Sequence, residues 1–167
     1  MARAERRGKV KFIGYVENDR GRDVKLWARF PVSKPLHDYR VTRLILRARP
    51  LDDVRRGTTV DKRNADAELI RDGRKLYLDY DRGTMGYAAV IGRLDKYDDC
   101  TDTVLWVMSS DTRIHGVFER TEGLPDHFLF TTYEKAMADF YGPIWSTAKV
   151  SGHNLSRDST RSPTDAA

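Results

Sequence analysis

The sequence predicts an α/β domain: a central mixed sheet flanked by helices, with a β-hairpin in front of it. Three observations predict it. An Asp72-Gly73 pair lies between two alternating runs, the strongest short-range signal for a two-residue hairpin turn. Thr103–Met108 (TVLWVM) is a continuous apolar run, the pattern of a strand buried on both faces. Apolar stripes at helical spacing, bounded by caps and breakers, alternate with the strands further along the chain.

The elements follow in order. Val10, Phe12, Gly14 and Val16 alternate with Lys11, Ile13 and Tyr15, and Val24, Leu26, Ala28 and Phe30 alternate with Lys25, Trp27 and Arg29. With the polar residues 17–23 between them, Lys9–Phe30 is expected to form a hairpin with a charged tip. It is either an edge hairpin of the main sheet or a wing that touches nucleic-acid phosphates. Ser33-Lys34-Pro35 opens a helix, with Ser as cap and Pro in the first turn. His37, Val41, Leu44, Ile45 and Ala48 share one stripe of it, and Pro50 stops it. On that stripe His37 reads as a packed histidine rather than a ligand. Residues 57–63 are expected as a short strand, followed by the Asp72-Gly73 hairpin.

Residues 82–86 form a loop, and Tyr87, Val90, Ile91, Leu94 and Tyr97 trace a helical face through about Asp98. After the buried strand, Ser110 or Asp111 caps a short helix with Ile114, Val117 and Phe118 inward. His127–Thr131 is the next strand. Thr131 with Glu134 makes a capping box for a helix through Phe140, Gly142-Pro143 ends it, and Ile144-Trp145-Ser146 adds a last short strand.

This organisation divides the chain into a disordered basic arm (1–8), the hairpin (9–31), the α/β domain (32–148) and a disordered tail (149–167). The single cysteine, Cys100, excludes an internal disulfide and any multi-cysteine zinc site, and reads as a strand-edge thiol. No apolar run is long enough to span a membrane, and the basic N-terminus lacks the apolar segment of a secretory signal. The expected location is the cytoplasm. Net charge is +5, with basic residues crowded into the first eleven positions and between Arg47 and Arg63. That balance suits a polyanionic partner, since phosphates attract Lys and Arg and release counterions.

The hairpin turn sets a register. Arg71 faces Arg74, Ile70 faces Lys75, Leu69 faces Leu76, Glu68 faces Tyr77, Ala67 faces Leu78 and Asp66 faces Asp79. Ala67, Leu69, Leu76 and Leu78 then share an apolar face, and Asp66, Glu68, Asp79 and Asp81 share the other. Facing like charges are destabilising, so this acidic face needs a compensating cation. A divalent metal such as Mg²⁺ is one candidate, ligated by Asp66, Asp79 and Glu68. Basic side chains are the other, with Arg74, Lys75, Arg82 and Lys96 nearest in sequence.

An acidic residue on one strand, a turn, an acidic motif on the next strand and a following helix resemble the PD-(D/E)xK nuclease core. More narrowly, residues 36–147 resemble the nuclease-like domain of the replication-relaxation family, found on plasmids, phages and integrated mobile elements. The matching stretches are Leu36-His37-Asp38-Tyr39-Arg40-Val41, Asp66-Ala67-Glu68-Leu69 and Asp79-Tyr80-Asp81-Arg82-Gly83-Thr84. Arg93 with Tyr97, Leu105-Trp106-Val107 with Arg113, Phe128 with Thr131, and Gly142-Pro143-Ile144-Trp145 follow in order. The family carries a winged helix in front, of which the first hairpin looks like the remaining wing.

The resemblance implies catalytic positions at Asp66, Asp79, Asp81 and Arg93, and a Mg²⁺ site on Asp66, Asp79 and Glu68. It also exposes two departures. The usual glutamate is Asp79, and the working lysine is replaced by Asp81. Arg93 on the next helix is the positional substitute, with Lys96 second, but arginine stays protonated and is a poor general base. DNA is the expected partner, contacted by Arg20, Arg22, Lys25 and Arg82, with other replication or transfer proteins beside it. Three functions stay open: a DNA-binding protein acting in replication, relaxation or its regulation; a Mg²⁺-dependent DNA endonuclease or nickase; and an inactive interaction module whose acidic face docks a basic partner.

Overall fold

The computed structural model describes residues 11–17, 22–28, 34–48, 53–56, 59–60, 63–121, 123–149 and 151–153. The chain falls into two compact units, Met1–Thr42 and Arg43–Ala167.

In the first unit, β1 (Lys11–Glu17) and β2 (Asp23–Ala28) form a two-stranded antiparallel sheet of their own. Tyr15 lies opposite Lys25 and Glu17 opposite Asp23, and the register shifts between Phe12 and Gly14. Arg20 and the expected cap Ser33 lie outside the described residues. Helix α1 (Pro35–Ala48) begins in this unit and ends in the second. Its stripe is buried at Val41, Leu44, Ile45 and Ala48. His37 is only partly buried, with Nδ1 3.9 Å from Asp38 Oδ1.

The second unit contains β3 (Asp53–Arg56), β4 (Thr59–Val60), β5 (Arg63–Asn64), β6 (Ala67–Arg71) and β7 (Arg74–Asp81). Then come α2 (Tyr87–Leu94), a 3₁₀ turn (Asp95–Tyr97), β8 (Thr103–Met108), α3 (Asp111–Phe118) and β9 (Phe128–Thr132). Helix α4 (Tyr133–Ala138), β10 (Trp145–Ser146) and β11 (Ser151–His153) complete it. The main sheet is open and mixed, in the order β11-β10-β9-β8-β7-β6-β3. β7, β8 and β9 run parallel, and every other neighbouring pair is antiparallel.

Asp72 (φ 49°) and Gly73 (φ 78°) both take the left-handed conformation that a type I′ turn demands. The β6–β7 register is the predicted one at all five pairs from Arg71–Arg74 to Ala67–Leu78. β8 is buried on both faces from Val104 to Met108, as its unbroken apolar run requires.

One face of the sheet packs against α2 and α3. Tyr77, Val104, Trp106, Met108, Phe128 and Phe130 meet Val90, Leu94, Tyr97, Ile114 and Val117 there. On the opposite face Tyr80 lies beside Tyr133 of α4, their ring centroids 5.4 Å apart. Below the sheet edge, Tyr141 Oη donates to the Ala48 carbonyl at the end of α1, and the Arg71 guanidinium stands 4.8 Å over the Tyr141 ring.

Four expectations are corrected. The edge strand is 53–56 rather than 57–63: Val54 pairs opposite Leu69 and Arg55 opposite Glu68, while β4 and β5 form a separate two-residue ladder. A charged run such as Asp53-Val54-Arg55-Arg56 hides its strand character because an edge tolerates charge. The cap of α4 is Thr132, whose side chain accepts from Lys135 N; Thr131 instead continues β9 and donates from Oγ1 to the Ile144 carbonyl at 2.9 Å. β11 falls within the segment expected to be a disordered tail. Cys100 is buried in the connection between the 3₁₀ turn and β8, where its N–H donates to the Tyr97 carbonyl, rather than at a strand edge. Of the two cap candidates for α3, Ser110 is the one used. Among the described residues no helix is long and apolar enough to cross a membrane.

Candidate functional site

The hairpin register and the pleat put Glu68, Tyr77, Asp79 and Asp81 on the face covered by α2 and α3. The acids are therefore interior: Asp79 is 0% exposed, Asp81 1% and Glu68 2%. Each meets a specific partner.

Asp79 is held at both oxygens. Oδ1 accepts from Arg93 Nη2, and Oδ2 accepts from Tyr97 Oη at 2.8 Å. Arg93 and Tyr97 stand four residues apart across the end of α2 and the following turn, so one helical face delivers both. The Arg93 guanidinium also lies 5.5 Å from the Trp106 ring centroid, and Trp106 is Asp79's neighbour in the β7–β8 ladder. Tyr97 packs edge-on to Trp106 at 6.4 Å. Burial, then the Asp79 charge and the hydrogen bond to it, push the Tyr97 phenol well above its ordinary value. It remains a protonated donor.

Asp81 is held in a second arrangement. Oδ1 accepts from Gly83 N at 2.9 Å, and Oδ2 accepts from Arg113 Nε in the first turn of α3. Arg113 Nη2 donates onward to the Met85 carbonyl at 2.5 Å, and its guanidinium lies 5.2 Å from the Tyr87 ring. Arg113 thus ties β7, the 82–86 loop and α3 together. Gly83 serves that loop because its φ is +87° and a Cβ there would stand 2.6 Å from Ser109 Oγ. Arg82 is half-buried in the same loop.

Asp66 precedes β6, and the strand pairing stops one residue short of it. Its Oδ2 accepts the Tyr80 backbone N–H at 2.8 Å, so it buttresses β7. Glu68 Oε1 lies 3.7 Å from Arg55 Nη1 on the edge strand and is buried without a hydrogen-bond partner.

The structure brings Arg93 to Asp79. The cations that meet Asp81 and Glu68 are Arg113 and Arg55, not the four basic residues nearest in sequence. Tyr97 carried a legible signal in its spacing from Arg93. Arg113 stood in the sequence only as the arginine after the apolar strand, and its reach to Asp81 across 32 residues had no local signal.

Mg²⁺ takes near-octahedral oxygen ligation and keeps several waters. Here both oxygens of Asp79 and both of Asp81 already accept protein donors, two of them guanidinium groups, and Asp66 Oδ2 is engaged by backbone. As arranged, Asp79 and Asp81 turn their oxygens to protein donors rather than to a Mg²⁺ ion. Among the described residues no group of three or more His, Cys, Asp or Glu side chains is placed to hold a metal ion.

Of the expected nucleic-acid contacts, Arg22 and Lys25 lie in the first unit and Arg82 in the second. Tyr15 is 59% exposed, and Arg22 and Lys25 are exposed with it. Sequence reasoning missed a groove of about 850 Å³ between α3, α4 and β10, lined by Asp111, His115, Phe118, Lys135, Ile144 and Lys149 among others. Its lysines are paired, Lys135 to Asp111 at 2.7 Å and Lys149 to Asp126 at 3.1 Å.

No family model, curated protein or solved structure matches the chain.

Proposed function

We propose that this chain is a DNA-binding, nuclease-like protein of a plasmid, phage or integrated mobile element, acting in replication, relaxation or its regulation without cutting DNA itself. The observation that carries the reading is the closure of the acidic face over Asp79. An endonuclease needs carboxylates open to a metal and to a phosphodiester. An interaction module docking a basic partner needs the same acids at the surface. Closure disfavours both and leaves the binding function. The basic balance of the chain and the exposed Tyr15, Arg22 and Lys25 of the hairpin support DNA as the ligand. Partner proteins of replication or transfer would act beside it.

The test is duplex-DNA binding by fluorescence anisotropy at 50 and 200 mM salt, beside plasmid nicking in Mg²⁺ and Mn²⁺. With about three phosphate contacts, affinity should fall roughly 40-fold between the two salt concentrations. Arg22→Glu with Lys25→Glu should weaken binding about tenfold or more. Binding that is absent or indifferent to salt sinks the DNA reading. Metal-dependent nicking that disappears in Asp79→Asn sinks the claim that the protein does not cut.

A further inference from the structure

Burying a carboxylate is costly unless it is paired and its remaining lone pairs are satisfied. Asp79 and Asp81 meet that condition with protein groups alone. Asp79 accepts from the Arg93 guanidinium and the Tyr97 hydroxyl, and Asp81 from the Arg113 guanidinium and the Gly83 N–H. The two guanidiniums come from the two helices that carry the chain from β7 to β8 and from β8 to β9.

We infer that Arg93 and Arg113 are the resident counter-ions of Asp79 and Asp81, standing where a divalent cation does at an open acidic site, so that the second unit folds independently of metal. The inference rests on the closed face described above and not on DNA as ligand. Arg93 is the more informative of the two. It is 27% exposed, and so its removal opens a path from solvent to the Asp79 oxygens. Arg113 is more enclosed and ties a loop as well as a charge.

The experiment follows thermal unfolding of the full chain in EDTA, in millimolar Mg²⁺ and in millimolar Mn²⁺. Wild type should unfold at one temperature in all three, and an electron-paramagnetic titration should find no Mn²⁺ bound. Arg93→Met should lower Tm by about 10 °C, because it strands a buried charge. Millimolar Mn²⁺ should then restore several degrees of that loss. Arg93→Lys, which keeps a cation, should lose less and gain nothing from Mn²⁺. The double variant Asp79→Asn with Arg93→Met should also gain nothing.

Wild-type stabilisation by Mg²⁺ or Mn²⁺ of more than a few degrees overturns the inference. So does an Arg93→Met chain that is destabilised but indifferent to Mn²⁺, which would make Arg93 a packing partner only. If Arg93→Met does not fold, the wild-type titration and Arg93→Lys decide the matter by the same criteria. DNA affinity measured in EDTA reports on the functional proposal alone, so the two can fail separately.

Discussion

Two antiparallel hairpins of the chain, β1–β2 and β6–β7, give their charges opposite fates. In β1–β2 the side chains of Tyr15, Arg22 and Lys25 stand in solvent. In β6–β7 those of Glu68, Asp79 and Asp81 are interior. Alternation is present in both hairpins, so it does not explain the difference. What differs is the neighbour. The described ladder of β1–β2 has two strands, whereas β7 continues into the parallel strand β8, and the crossover helices that parallel pairing requires cover the acidic face. A hairpin pattern tells which residues share a face. Whether that face is wet depends on strands that arrive later in the sequence.

The comparison can be broken most forcefully at Asp79. Asp79→Ala leaves Arg93 unpaired and Tyr97 without its acceptor, and should lower unfolding free energy by about 3–5 kcal/mol in urea titration. Asp79→Asn, which keeps the shape and a hydrogen bond to Tyr97, should lose clearly less. If the two variants match, charge is not what the interior hairpin is built around.

Next is the loop that holds Asp81. Gly83→Ala places a Cβ at φ +87° and against Ser109 Oγ, with an expected loss of about 1–3 kcal/mol. Gly73→Ala has a positive φ but open space around it, and its loss should fall at the lower end of that range. Equal losses would mean that backbone conformation, not the approach of Ser109, decides Gly83.

Tyr97 tests the interior hairpin through pH. Folding raises its pKa, so the folded chain keeps the phenolic proton where the unfolded chain, titrating near 10, has released it. Its contribution is therefore fully present below pH 10 and declines above it, by up to about 1.4 kcal/mol per pH unit. Tyr97→Phe should cost about 1–3 kcal/mol at neutral pH and flatten this alkaline decline. A decline as steep as wild type in Tyr97→Phe would assign it to other groups.

The smallest effect on stability belongs to the exterior hairpin. Arg22→Glu and Lys25→Glu should each change unfolding free energy by no more than about 0.5 kcal/mol, since both side chains are exposed. Large losses there would erase the contrast between the two hairpins.

Much of the frame was legible in the sequence. Asp72-Gly73 specified the turn and with it every observed pair of β6–β7. The unbroken run of β8 announced its central place, and Ser110 its helix. Glu68, Asp79 and Asp81 were assigned to the correct shared face, while Asp66, expected opposite Asp79, precedes β6 and falls outside the ladder. What stayed hidden needed long-range information. Arg113 reaches Asp81 only because the β7–β8 ladder sets Asp81 beside Met108, just ahead of α3. Arg55 reaches Glu68 because a charged segment pairs as an edge strand. Both depend on topology, which no local spacing encodes.

The stacking of Arg93 over Trp106 has an optical consequence. The chain has three tryptophans, Trp27 in β2, Trp106 beneath the guanidinium and Trp145 in β10. With Trp27 and Trp145 replaced by Phe, the remaining indole becomes a fluorophore lodged at the seal itself. Its emission would shift to the red as water reached the ring, giving a spectroscopic gauge of seal opening that can be read well before the sheet comes apart.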